Sequence, residues 1–126
     1  MQLAAVAAAV LLGVIALFQA SLSFGAPLGA AAWGGQHPGV LPRRFRVASG
    51  IAAVVIYPVI AAIVLNAAGI IDVEWLPSGT GIMWLFVGLF TLGTIANLAS
   101  SSQPERVWAP VSAAIAICCA AIAAGL

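Results

Sequence analysis

Four long stretches of this chain contain no Asp, Glu, Lys, Arg or His: residues 2–24, 47–69, 80–99 and 107–126. A hydrocarbon core about 30 Å thick is crossed by about 20 apolar residues wound as a helix. Each stretch therefore has the length and chemistry of a membrane span. The composition agrees, with 64% hydrophobic and 6% charged residues; a soluble domain carries about 25% charged residues to cover its surface. The expected fold is all-α, a single integral-membrane domain over residues 1–126 arranged as a compact four-helix bundle. The first run has no basic residue before it and outlasts the roughly 7–15 residues of a signal-peptide core, so it is read as a retained helix.

The loops hold every charge. Arg43, Arg44 and Arg46 lie between the first two helices, Arg106 opens the fourth, and Asp72 and Glu74 lie between the second and third. The first and third loops share one side of the membrane, so all four arginines do. The positive-inside rule assigns that side to the cytoplasm and both termini to the opposite side. The arginine trio could also hold anionic lipid heads at about 1 kcal/mol per basic residue, although fixing orientation is the simpler role. Trp75 and Trp84 flank the outer end of the third helix, and Trp33 and Trp108 lie at the inner side, where amphipathic rings favour the interface. A net charge of +1 without a basic stripe excludes nucleic acid as a partner.

Burial alone does not drive helices together in lipid; close packing and interhelical hydrogen bonds do. Small residues four apart at Ala5, Ala9 and Gly13 predict a packing face on the first helix. Gly81 and Gly88, seven apart, predict one on the third, and Ala109, Ala113, Ala116, Ala120 and Ala124 form similar stripes on the fourth. Pro58, mid-way along the second helix, predicts a kink. Pro110 falls in the first turn of the fourth helix, where a missing N–H costs little. Residues 25–42 form an apolar, Gly- and Pro-rich loop, ill suited both to water and to lipid. It is expected to lie in the interface or dip between helices, with a short helix over 28–33, or else to be an irregular linker.

An ionisable group within a span would be the strongest functional mark, and there is none. Polar residues instead collect at the inner end: Gln19, Thr94, Asn97, Glu105, Arg106 and His37. This cluster either lines a cytoplasm-facing mouth or ties helices together through hydrogen bonds of about 0.6 kcal/mol each. The sequence favours ties, with Glu105 paired to an arginine of the first loop. His37 stands alone, and the adjacent Cys118 and Cys119 point in different directions. No metal site, phosphate loop, cofactor motif or catalytic set can be assembled, so no enzymatic activity is expected.

Phe24-Gly25-Ala26-Pro27-Leu28-Gly29, Trp33-Gly34-Gly35, Leu41-Pro42-Arg43-Arg44, Asn97-Leu98-Ala99-Ser100 and Glu105-Arg106-Val107-Trp108 together resemble small four-helix bacterial membrane proteins of unknown function. That resemblance implies a bacterial inner membrane, hence periplasmic termini. Small multidrug exporters share the length and helix count, but their first-helix glutamate has only Gln19 as a counterpart here. The expected role is a structural or interaction component of the lipid bilayer, as a homo-oligomer or beside another membrane protein. The alternative is a small channel or transporter for a neutral or weakly polar solute.

Overall fold

The computed structural model describes residues 1–126. It contains four helices, each long and apolar enough to cross a membrane: α1 (Gln2–Ser23), α2 (Arg43–Ala67), α3 (Thr80–Ala99) and α4 (Gln103–Ala123). By helix length and hydropathy the chain is a multi-pass membrane protein.

The ends of the helices differ from the sequence reading for local reasons. α2 begins at Arg43 rather than at residue 47. Arginine is a good helix former, and its long stem lets the charged head leave the hydrocarbon while the backbone stays helical. α1, α2 and α4 each finish before a glycine at positive φ, namely Gly25, Gly69 and Gly125. At Gly69 the N–H of Ile70 reaches the carbonyl of Leu65 and that of Gly69 reaches Asn66. This is the crossed pair of bonds that closes a helix around a left-handed residue.

Both intramembrane prolines leave a mark. Pro58 lacks the N–H that would bond to the carbonyl of Val54, and its ring crowds that carbonyl. The preceding residues, Ala52–Ile56, relax into a wider π-helical turn, a known way to absorb such an insult within a continuous helix. Pro110 cannot bond to the carbonyl of Arg106, and α4 is interrupted at Val107, between Gln103–Arg106 and Trp108–Ala123.

The bundle closes unevenly. α1 packs on α2 and α4, and α4 packs extensively along α3, but α2 and α3 barely touch. The core stripe of α1 is Ala5, Ala8, Leu12 and Ile15. Met83, Phe86 and Phe90 of α3, Ile115 and Cys119 of α4, and Ile60 and Val64 of α2 meet it. Ala5 belongs to this face, whereas Ala9 is half-buried and Gly13 exposed. A strict spacing of four outruns the 3.6-residue turn and drifts off the face, while alternating steps of three and four stay on it. Gly13, Gly81 and Gly88 are exposed, and a Cβ at any of them would meet nothing within 4 Å. The glycine packing faces expected on α1 and α3 are therefore absent from the inside of this bundle. Close approach occurs elsewhere: a Cβ on Gly50 would lie 2.7 Å from Ser23 Oγ.

The loop of residues 25–42 is neither a free linker nor a single helix. Two short 3-10 turns, Gly29–Ala31 and Trp33–Gly35, fold it across the arginine end of the bundle. It buries Ala32 and Leu41 against Leu22, with Phe18 and Phe45 alongside. Its glycines permit this compactness: a Cβ on Gly29 would collide with the carbonyls of His37 and Gly39, and one on Gly35 with Ser102.

Candidate functional site: a polar chamber at the arginine end

The core stripes change character along the bundle. On α1 the series Ala5, Ala8, Leu12, Ile15 continues, in steps of four and three, to Gln19 and Leu22. On α3 the series Met83, Phe86, Phe90 continues to Gly93 and Asn97. On α4, read toward its start, Ile122, Cys119 and Ile115 give way to Ser112 and Glu105. A helix that buries its apolar stripe must carry the next residues of the same stripe inward as well. The amides, the hydroxyl and the carboxyl are thus aimed at one another by the packing of the opposite half.

They surround a cavity of about 320 Å³. α1 contributes Ile15, Phe18 and Gln19; α2 contributes Ala52, Ile56 and Tyr57. Asn97 comes from α3, and Glu105, Trp108 and Ser112 come from α4. The loop supplies Ala31, Ala32 and Trp33. With a share of about 30 Å³ per liquid water, this space exceeds what one bridging water needs. Glu105 and Ser112 are buried, at 8% and 7% exposure.

The loop is fastened over this chamber by four hydrogen bonds. The Gly34 N–H donates to Glu105 Oε2 at 2.7 Å, and Ser102 Oγ donates to the Ala30 carbonyl. Trp108 Nε1 donates to the Ala31 carbonyl at 3.1 Å, and Trp33 Nε1 to Ser49 Oγ at 3.0 Å. The partner of Glu105 is therefore a backbone N–H rather than an arginine. Trp33 and Trp108 spend their indole N–H groups on this fastening, with Trp108 also packed on Phe18 at 4.7 Å between ring centroids. Trp33 adopts φ 51°, a left-handed conformation that costs an L residue about 1–2 kcal/mol. Its hydrogen bond to Ser49 and the adjoining Gly34–Glu105 bond hold it there.

Gln19 and Asn97 both line the chamber, and neither side chain makes a hydrogen bond to another helix. Gln19 Oε1 is buried with no partner. The interhelical ties expected of these amides are not formed. Thr94 is satisfied on its own helix, its hydroxyl donating to the Phe90 carbonyl at 2.8 Å. His37 lies against Phe45, ring centroids 4.8 Å apart, and is not among the lining residues. Arg106 is exposed and donates to the Ser100 carbonyl at 2.8 Å. Arg43 and Arg44 are exposed, with Arg44 over the Phe45 ring at 4.9 Å, and Arg46 is half-buried. Of the six polar residues grouped from the sequence, Gln19, Asn97 and Glu105 come together. Tyr57, Ser112 and the two tryptophans were not in that group. Ser112 was legible as the continuation of the α4 stripe. Tyr57 was not, because the π-helical turn before it shifts the register.

The chamber can therefore offer hydrogen bonds of both senses beside aromatic and aliphatic walls, with no lysine, arginine or histidine among its lining residues. Comparison with protein-family models, with curated proteins and with solved structures gives no match, so the family resemblance drawn from the short motifs gains no support and the geometry alone carries the functional reading.

Proposed function

We propose that this is a non-enzymatic membrane protein that binds a small, weakly polar solute in the chamber at its arginine end, as a carrier or a passage. One observation carries the reading: Gln19 and Asn97, whose side chains make no hydrogen bond to another helix, line a cavity that no neighbouring side chain fills. A polar group left without a partner in such a site costs about 1–3 kcal/mol, and a bound solute with complementary groups would recover it. The arginine bias supports a cytoplasmic chamber and periplasmic termini in a bacterial inner membrane.

Cysteine labelling tests this directly. In a background with Cys118→Ala and Cys119→Ala, Gln19→Cys and Asn97→Cys should react with a membrane-impermeant thiol reagent added from the cytoplasmic side. Leu17→Cys, at a lipid-facing position with 74% exposure, should not. Silence at both chamber positions would remove the reading. A C-terminal reporter active only in the cytoplasm should stay inactive; a strong signal would reverse the orientation.

A second reading, an interaction component, is favoured by the glycines. Glycine in a helix interior costs about 1 kcal/mol relative to alanine, and Gly13 and Gly88 gain no packing inside the bundle for that cost, while Gly81, in the first turn of α3, also faces open space. A neighbouring helix, from a second copy or another membrane protein, could use them. A concentration-dependent change of oligomeric state in bilayers, abolished by Gly81→Leu with Gly88→Leu, would support it.

A further inference from the structure

We infer that the occupant is a single-chain amphiphile with an uncharged, hydroxyl-bearing head, of the monoacylglycerol kind, and that it enters sideways from the bilayer between α2 and α3. This rests on the solute-binding reading above and names its ligand class and route.

The first observation is a change of polarity along one cleft. The chamber shares Ile15, Ile56, Tyr57, Asn97 and Ser112 with a second cavity of about 290 Å³ that continues away from the arginine end. The part nearer the arginines adds Gln19 and Glu105; the continuation adds Ile60, Leu89 and Phe90. A fully water-soluble molecule would leave the apolar part unfilled or wet. A hydrocarbon would leave the lining amides and carboxyl desolvated and unpaired. A molecule polar at one end and apolar along its length satisfies both parts.

The second observation is the gap through which such a chain could pass. α2 and α3 barely touch, and the continuation of the cleft is lined by residues from both. Ile56 and Leu89, one from each helix, are exposed as well as lining it. An acyl chain already in the bilayer reaches this gap without crossing the headgroup layer.

The head is selected by what the chamber lacks. The Glu105 carboxyl is an acceptor, and the Gln19 and Asn97 amides line the space without a hydrogen-bond partner. No cationic side chain lines the space. A phosphate or carboxylate head would bring an anion beside the Glu105 carboxyl with no cation to neutralise it, at a desolvated site where that is costly. The hydroxyls of a glycerol head instead donate to the Glu105 carboxyl and the Asn97 amide and can accept from Tyr57 and Ser112.

The test uses the full chain in phosphatidylcholine vesicles with a monoacylglycerol carrying a diazirine midway along its acyl chain. After irradiation, adducts should concentrate on Ile60, Leu89 and Phe90. Unlabelled monoacylglycerol should displace the probe about tenfold better than the fatty acid, the lysophosphatidate or the amine of the same chain length, a difference of 1.4 kcal/mol. Gln19→Leu should weaken capture about fivefold, the worth of one ordinary hydrogen bond, without altering elution or lowering the unfolding midpoint. Should that variant misfold, Asn97→Leu reads the same loss. Equal displacement by all four competitors, stronger displacement by the amine, or adducts spread evenly over the lipid-facing Leu85 and Leu92 would overturn the proposal. If cysteines at 19 and 97 are labelled from water while adducts do not concentrate in the cleft, the amphiphile is excluded and the solute-binding reading survives.

Discussion

In the half of the bundle away from the arginines, the facing positions are Ala5, Ala8 and Leu12 on α1, Met83 and Phe86 on α3, and Cys119 and Ile122 on α4, every one buried. In the arginine half, the same faces carry Gln19, Asn97, Ser112 and Glu105 around a cavity. α1 and α3 run uninterrupted from one region into the other, so helix packing by itself does not explain the difference. The apolar half interlocks side chain against side chain. The polar half is held open, and its closure is delegated to the loop of residues 25–42, hydrogen-bonded to Ser102, Glu105 and Trp108. One half supplies rigidity and aims the stripes; the other holds the space that those stripes enclose.

The sharpest way to break this comparison is to weaken the apolar half. Leu12 is 1% exposed within the core. Leu12→Ala should destabilise the protein by about 2 kcal/mol, the low end for buried leucines. The low end applies because the unfolded helices remain in lipid, so only packing is lost and not transfer from water. Denaturant titration in detergent measures it. A loss below that of Gly13→Leu would place the tight face elsewhere.

The loop closure comes next. Glu105→Ala leaves the Gly34 N–H without its acceptor, at a cost of about 1–2 kcal/mol, and Gly34 should exchange its amide hydrogen faster. Glu105→Gln keeps a carbonyl oxygen in place and should restore most of the protection. If Gln and Ala behave alike, the Gly34 bond does not hold the loop.

These effects also show where the sequence was readable. The four spans were legible because a bilayer demands length and apolarity, and both show in any stretch such as residues 80–99. The helix start at Arg43 is not legible, since charge suggests a boundary that the backbone ignores. The site was legible in part. Gln19 and Asn97 fall on the buried stripes and could be placed at one level. The loop's partners could not be foreseen, because Gly34, Ala30 and Ala31 contribute backbone groups, which any residue possesses. Nor could the outward position of Gly13, since a spacing of four resembles a packing motif until the 3.6-residue turn is followed along the helix.

That last point gives a third prediction. With open space beyond Gly13, Gly13→Ala should stabilise α1 by up to about 1 kcal/mol through helix propensity alone. A loss of stability instead would mean that Gly13 touches another helix in the membrane, and would move weight to the interaction reading. The same substitution examined across a range of protein-to-lipid ratios separates the two, because only a contact between molecules depends on concentration.

The smallest expected change in stability tests the comparison most finely. Gln19 occupies the next position of the stripe that holds Leu12 and Ile15, so it is the point where the tight half becomes the open one. Its Oε1 has no partner, and replacing an unsatisfied buried polar group by an apolar one of similar size is close to neutral or stabilising. Gln19→Leu should therefore gain between zero and about 1 kcal/mol, opposite in sign to Leu12→Ala although both alter one face of one helix. If Gln19 were instead a tie between helices, the variant would lose about 0.6 kcal/mol, the average for a membrane hydrogen bond. The sign alone separates an open chamber from helix glue. Paired with a measured fall in ligand capture, a gain in stability would identify Gln19 as a residue kept at the expense of the fold for what it binds.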